Sequence, residues 1–257
     1  MEELKVTFIQ ADLKWEDKQA NLDTFDRLIS QLVEPGDIII LPEMFTTGFS
    51  MNSSGLAETM DGEGINWMRR IARQTNSAVV GSVIIKEDGQ YYNRLVWMNP
   101  DASYYCYDKK HLFSLAKENE HYSPGRSKLI VEYKNWKICP MICYDLRFPE
   151  WSKNSEHYDL LIYVANWPRP RISHWSALLR ARAVENQCYV IGVNRVGTDG
   201  NGLGYSGNSS IYNFNGDQIV EKIDTESVSS HKLMKLPLVQ FRKKLPFLED
   251  QDLISER

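Results

Sequence analysis

Asp37-Ile38-Ile39-Ile40-Leu41-Pro42-Glu43 is a short apolar run closed by a proline. Four consecutive large aliphatic residues leave no polar face, so the run reads as a strand buried on both sides, as in a parallel sheet covered by other layers. Pro42 lacks the N–H that a further ladder bond needs and stops the strand. Glu43 therefore stands just past a strand end.

Outward from this run, β-branched stretches alternate with segments of helical period. Val6 to Gln10 reads as a strand, and Leu22, Phe25, Leu28, Ile29 and Leu32 fall at helical spacing. Ile65, Met68, Ile71 and Ala72 mark a second helix, followed by strands Ala78 to Ile85 and Tyr91 to Met98 around the turn Glu87-Asp-Gly-Gln90. After the Asn99-Pro100-Asp101 turn, Tyr104 to Lys109 continues the strand rhythm, and Lys128 to Tyr133 with Trp136 to Cys143 predict a hairpin around Asn135. Asp159 to Ala165 is another apolar strand. Ser173 to Asn186 reads as a helix, Tyr189 to Asn194 as a strand, and further strands end near Leu236. No Gly/Ser linker or low-complexity tract interrupts the pattern, which predicts one domain over residues 1–257. Many strands and few helices imply packed sheets with helices on their outer faces.

The chain has 257 residues, 42% of them hydrophobic and 25% charged, enough to bury a sizeable core. Thirty basic against 34 acidic side chains leave a net charge of −4, which offers no general electrostatic reason to bind nucleic acid or anionic membrane. The start MEELKVTFIQADLKWEDK lacks a basic segment followed by an apolar one, and no run approaches the roughly 18 apolar residues of a membrane span. A soluble cytoplasmic protein is expected. Cys106, Cys139, Cys143 and Cys188 are too sparse for a disulfide scaffold, so free thiols are the default. Cys139 and Cys143, about 13 Å apart along an extended strand, cannot share a zinc ion.

Cys143 lies in Ile-Cys-Tyr-Asp-Leu-Arg-Phe-Pro, where an apolar strand gives way to a polar turn. Such an elbow presents a thiol at a sheet end and leaves the next N–H, that of Tyr144, to donate to an oxyanion. A small buried core cysteine reads the same way by composition alone. A thiol needs a base, which a pocketed carboxylate such as Glu43 supplies. A lysine beside them, with Lys109 the candidate, would stabilise the charge on a carbonyl oxygen under attack. Taken singly, these are ordinary surface residue types, and their order along the chain proves nothing. The glycine-rich stretch Gly197 to Gly207 lacks the Gly-Lys-Ser/Thr ending and the following helix of a phosphate loop, and reads as a flexible loop between strands. Phe45, Phe113, Tyr122 and Trp167 read either as pocket walls or as packing. Arg147 fits either a substrate carboxylate, bound bidentately, or an internal acid.

Three segments, Leu-Pro-Glu43-Met-Phe-Thr-Thr-Gly-Phe, Tyr-Asp-Lys109-Lys-His-Leu-Phe and Ile-Cys143-Tyr-Asp-Leu-Arg-Phe-Pro, resemble in that order the signature segments of the nitrilase superfamily of carbon–nitrogen hydrolases. They stand 66 and 34 residues apart at the Glu, Lys and Cys. Asn166-Trp-Pro and Leu-Arg-Ala-Arg-Ala-Val-Glu185-Asn186 are similar to further family segments, and the resemblance runs from about residue 4 to residue 240. The chain looks most like the short omega-amidase branch, through Pro-Glu-Met-Phe-Thr-Thr-Gly-Phe-Ser-Met and Cys-Tyr-Asp-Leu-Arg-Phe-Pro-Glu-Trp-Ser.

This resemblance implies an α/β fold, a four-layer αββα sandwich, and a Glu43-Lys109-Cys143 triad in which Lys109, not Lys110, stands two before His111. It places the family's second glutamate on Glu118, with Glu120 as the competitor, and leaves His111 a structural part of the site wall. Tyr144, Arg147, Trp167, Phe45, Phe113 and Tyr122 are the expected substrate-binding residues, and Arg169, Arg171 and Arg195 are further cations for a substrate carboxylate. The implied reaction is hydrolysis of the terminal amide of a small dicarboxylic acid monoamide, such as 2-oxoglutaramate or 2-oxosuccinamate. N-carbamoyl amino acids, other small amides and nitriles are the alternatives. Neither cofactor nor metal is called for. The expected partner is a small-molecule substrate, with no nucleic acid and no membrane, and resemblance alone implies a homodimer. A cysteine hydrolase using His111, His157 or His174 as base is the competing enzyme, and a non-catalytic binding protein of the same fold the competing class.

Overall fold

The isoleucines 38–40 form the short strand near the middle of a six-stranded sheet, hydrogen-bonded in parallel to a neighbour on each side. The computed structural model describes residues 2–221 and 223–251. Its strands are β1 (Glu3–Gln10), β2 (Ile38–Ile40), β3 (Ala78–Glu87), β4 (Gln90–Met98), β5 (Tyr104–Asp108), β6 (Val131–Tyr133), β7 (Trp136–Ile142), β8 (Leu160–Val164), β9 (Tyr189–Val193), β10 (Val196–Thr198), β11 (Gly204–Ser206), β12 (Ser210–Tyr212) and β13 (Ser227–Met234). The α-helices are α1 (Lys18–Ser30), α2 (Ser53–Leu56), α3 (Glu63–Thr75), α4 (Glu118–His121), α5 (Pro149–Ser152), α6 (Ile172–Asn186) and α7 (Lys235–Lys244).

One sheet has the order β13-β1-β2-β3-β4-β5 and the other β12-β9-β8-β7-β6. In each, three adjacent parallel strands carry antiparallel strands on both flanks. The two-residue period sorts their side chains between layers. Phe8, Ile38, Ile40, Val80, Leu95 and Trp97 pack against the second sheet through Ile138, Ile162 and Ile191. Their alternates Ile9, Ile39, Leu41, Val79 and Val96 pack outward against Phe25 and Leu28 of α1 and Met68 and Ile71 of α3. Trp175, Leu179 and Ala183 of α6 cover the outer face of the second sheet. The result is helices, sheet, sheet, helices, the expected four-layer sandwich.

The helices begin where local chemistry permits. Asp17 caps α1 by accepting from the Ala20 N–H at 3.0 Å, and the Glu58 carboxylate accepts from the first-turn N–H groups of Gly64 and Ile65 at the start of α3. Lys134 and Asn135 both take positive φ, 49° and 65°, which gives the β6–β7 hairpin the turn handedness that matches strand twist. Three expectations need correction. Lys128 to Ile130 lie before the strand, which starts at Val131. Leu236 belongs to α7, because the last strand ends at Met234 and Pro237, in the helix's first turn, has no intrahelical bond to forfeit. The Gly197–Gly207 stretch is the hairpin β10–β11, not a loop without structure.

Candidate active site

Glu43 follows β2, Cys143 follows β7, and Asn166 follows β8, so the carboxyl ends of parallel strands in both sheets deliver side chains to one crevice, where ligands of open α/β sheets sit. Lys109 follows β5, which runs antiparallel to β4 and so in the same sense as β2 and β3. Glu118 opens α4. These five residues converge. Lys109 Nζ donates to Glu43 Oε1 at 2.8 Å and to both Glu118 oxygens, at 3.0 and 2.9 Å. Asn93 Nδ2 also donates to both carboxylates, at 2.8 Å to Glu43 and 3.3 Å to Glu118. The second Glu43 oxygen accepts from the Asn166 N–H at 2.8 Å, and Glu118 Oε2 accepts from the Phe113 N–H at 2.6 Å. Glu43 and Glu118 are fully buried, whereas Glu120 is exposed and faces Lys117 at 3.8 Å. Lys110 lies instead with its ammonium 5.4 Å from the Trp151 ring.

Cys143 has φ 42°, a left-handed conformation that costs a non-glycine residue energy and persists only where its surroundings hold it. The hold is Asp145, wholly buried and two residues on. Its Oδ2 accepts from the Tyr107 hydroxyl at 2.7 Å and the Ile142 N–H at 3.2 Å. Its Oδ1 accepts from the His111 N–H at 2.9 Å and lies 2.8 Å from His111 Nδ1. Asp145 thus ties the segment that carries Lys109 to the elbow that carries Cys143. His111 is spent on this clamp and stacks on Phe148 with ring centroids 3.7 Å apart. The Tyr144 N–H, at the start of the 3-10 turn Cys143–Arg147, has no partner within that turn.

Electrostatics set the resting protonation. Burial pushes the Cys143 thiol well above its ordinary pKa and the adjacent Glu43 carboxylate adds to the shift, while Lys109 and the Asn166 N–H oppose it. The thiol is therefore neutral at rest. Burial works against the Lys109 charge, but the Glu118 and Glu43 carboxylates outweigh it and hold the ammonium protonated, its pKa raised. Burial likewise raises Glu118, with Lys109 pulling it down and Glu43 pushing it up.

These groups line a cavity of about 470 Å³. Of the expected substrate-binding residues, Phe113, Tyr144, Arg147 and Trp167 line it. Phe45 and Tyr122 do not. Phe45 turns to the outer face of its sheet, with its ring 5.6 Å from Phe25 and 5.5 Å from Trp67, and Tyr122 is buried with its hydroxyl bonded to the Ser50 carbonyl. Among the four arginines considered, Arg147 and Arg171 reach the cavity wall. Arg195 is fully buried and donates to the carbonyls of Leu13 and Val196. Arg169 is exposed outside the lining. The Arg147 guanidinium lies 4.8 Å from the Trp167 ring and donates to His174 Nδ1 at 3.1 Å, and that of Arg171 lies 5.3 Å from the Phe113 ring. Among the described residues, neither has a carboxylate partner. Sequence reasoning missed Trp15, Glu16, Phe49, Met51, Asp199, Leu203 and Tyr205 as wall residues. Nothing local marked them: Trp15 lies five residues past the end of β1, and Asp199, Leu203 and Tyr205 belong to the stretch read as a loop.

A thiol flanked by a carboxylate and a lysine ammonium, held between the two sheets of an αββα sandwich, places the chain among the hydrolases of this fold. The chain belongs to the carbon–nitrogen hydrolase family, whose model matches residues 5–234. It is 44% identical over 251 residues, 97% of each chain, to the omega-amidase YafV of Escherichia coli strain K12. It is 28% identical over 250 residues, 95% of this chain and 96% of the relative, to the 2-oxoglutaramate amidase of Bacillus subtilis strain 168. Among solved structures it is similar to XC1258 of Xanthomonas campestris, a CN-hydrolase superfamily protein with an arsenic adduct in its active site, at a TM-score of 0.97 and 40% identity over 100% of both chains. Nit3 of Saccharomyces cerevisiae shares the fold, with a TM-score of 0.85 at 24% identity over 95% of both chains.

Proposed function

We propose that this protein is an amidase of the omega-amidase type, which converts the terminal amide of a small dicarboxylic acid monoamide, such as 2-oxoglutaramate or 2-oxosuccinamate, to a carboxylate and ammonia. The observation that carries this reading is the Cys143 thiol beside Glu43 and Lys109, in a cavity whose wall holds two guanidiniums without carboxylate partners among the described residues. An amide to be cleaved goes to the thiol, and the far carboxylate goes to Arg147 or Arg171. The 44% identity to an omega-amidase supports the same substrate class.

In this mechanism Glu43 takes the thiol proton as Cys143 Sγ bonds to the amide carbon, and the oxyanion accepts from Lys109 Nζ and the Tyr144 N–H. The intermediate collapses with cleavage of the C–N bond. Glu43 returns its proton to the leaving nitrogen, and ammonia departs from a thioester on Cys143. Glu43 then takes a proton from water, whose oxygen adds to the thioester carbon. When the C–S bond breaks, that proton returns to Cys143 and the carboxylic acid leaves. Glu118 keeps Lys109 charged and in place through two contacts. Against the competing histidine-base reading, His111 is engaged by Asp145 and His174 by Arg147.

We also read residues 1–257 as one domain, supported by the core shared between both sheets. The protein is taken to act in the cytoplasm as a homodimer. No helix among the described residues is long and apolar enough to cross a membrane, and the exposed Val184, Leu236, Val239 and Phe247 offer apolar surface for pairing.

The test is a panel of 2-oxoglutaramate, an N-carbamoyl amino acid and a nitrile at equal concentration, with mass spectrometry of trapped enzyme. The expected result is the highest kcat/KM for 2-oxoglutaramate and one acyl group on Cys143, absent in Cys143→Ala. A higher value for the carbamoyl compound overturns the substrate class, and turnover by Cys143→Ala above a hundredth of wild type overturns the mechanism.

A further inference from the structure

The cavity wall contains an indole whose position is set by two glycines. A Cβ placed on Gly200 would lie 2.3 Å from both Cδ1 and Nε1 of Trp15, and one placed on Gly48 would lie 3.4 Å from its Cε3. Those atoms are on opposite edges of the ring, so Trp15 is wedged between the Phe45–Asn52 loop and the β10–β11 turn. Both supports are anchored. The Glu16 N–H donates to the Thr47 carbonyl at 2.8 Å, and the Val196 N–H donates to the Ala11 carbonyl at 3.0 Å. The Asp199 carboxylate accepts from the N–H groups of Asn201 and Leu203 and from the Tyr205 hydroxyl, all at 2.9 Å, which fixes the turn that carries Gly200. Trp15 is therefore a fixed plate and not a flap.

At about 470 Å³ the cavity falls in the range of pockets for drug-sized ligands, roomier than a five-carbon monoamide requires. We propose that Trp15, held between Gly48 and Gly200, is the wall that sets how long an acyl chain the site accepts, and that the site takes monoamides longer than 2-oxoglutaramate up to that wall. This rests on the amidase reading and adds its length limit. Trp15 acts by shape, through loops that carry none of Cys143, Lys109 and Glu118, and Glu43, just before one of those loops, is held separately by Lys109, Asn93 and the Asn166 N–H, so changing Trp15 alters which substrates fit and leaves the acylation groups in place. Gly200 has an ordinary φ, so alanine is allowed there by the backbone, and its methyl has to displace the indole, whose other edge is already against Gly48.

The experiment measures kcat/KM for unbranched dicarboxylic acid monoamides of increasing chain length. Trp15→Ala is expected to raise the value for the chain lengths at which wild-type turnover falls by about tenfold or more relative to the five-carbon compound, since single methylenes in an apolar pocket carry effects of about 10- to 200-fold. Gly200→Ala is expected to shift the profile toward shorter chains. Gly204→Ala, in the same hairpin with its nearest outside atom 4.0 Å from the added carbon, is expected to leave it unchanged. Trp15→Phe supplies a graded change should the alanine variant unfold. A Trp15 variant profile that superimposes on the wild-type one overturns the proposal. Wild-type protein that cleaves no member of the series overturns the amidase reading instead.

Discussion

Lys109→Met removes the one cation from between two carboxylates that are fully buried, and leaves both in place. In the wild-type protein the ammonium makes one contact to Glu43 at 2.8 Å and two to Glu118 at 3.0 and 2.9 Å. Breaking a buried pair by deleting one partner costs about 3–5 kcal/mol. Here two acids lose the same partner, so the upper end applies, and Asn93 alone remains to donate to both. The variant's response to pH follows from its charges. Burial and the neighbouring Glu43 carboxylate raise the Glu118 carboxyl above the unfolded value of about 4.3. A raised carboxyl binds more protons folded than unfolded, so stability is retained below the unfolded value and is lost as pH rises through the folded one. The wild-type Lys109, with its raised pKa, contributes evenly across this range because the unfolded lysine is also charged there. Urea unfolding at about pH 5.5 and about pH 8 reads the difference. The loss in Lys109→Met is expected to be larger at the higher pH, and Glu118→Gln added to it is expected to restore part. An equal, small loss at both values would refute the argument that the lysine neutralises buried charge.

Two further outcomes follow from the site. Asp145→Asn keeps the size but replaces one acceptor oxygen with an NH₂ facing buried donors, at about 1–3 kcal/mol for each group left unsatisfied; kcat is expected to fall with little change in KM, checked by kinetics beside a melting curve. Because burial and Glu43 push the Cys143 thiol well above its ordinary pKa, its alkylation by iodoacetamide, followed on the Cys143 peptide, is expected to climb about tenfold per pH unit beyond pH 8. A plateau near neutrality would mean a resting thiolate and would remove the need for Glu43 as base.

The local readings that succeeded share a physical basis. Ile38–Ile40 has no polar face, and Phe25, Leu28 and Met68, Ile71 repeat at the helical period, so burial direction is written into neighbouring residues. Leu236 failed because a strand and a helix meet without a turn residue, and Pro237 in a first turn looks like a strand breaker. Phe45 lies outside the cavity for a different reason, as comparison with Phe113, which lines it, shows. Both are aromatic residues in signature segments, and only packing distinguishes the ring against Trp67 from the ring in the cavity. The β10–β11 hairpin was read as a loop because its glycines are turn residues, while the contacts that order it come from the Asp199 side chain and from Ala11 far along the chain.

Sequence by itself determined the strand and helix periods, the strand-end positions of Glu43 and Cys143 and, through the resemblance of three segments, the sandwich and the residues to watch. The choice of Lys109 over Lys110 came through the same resemblance, by its place two before His111, and the structure puts Lys109 in the crevice and Lys110 beside Trp151. Tertiary structure alone decided that Glu43, Lys109, Glu118 and Cys143 share one buried crevice, that Arg147 and Arg171 reach its wall while Arg195 does not, and that Trp15 closes a side of it. Periodicity records which face of an element is apolar. It carries no information on which loop ends meet when two sheets stack, and the desolvation that raises the thiol and the charge balance that holds the ammonium exist only once they have met.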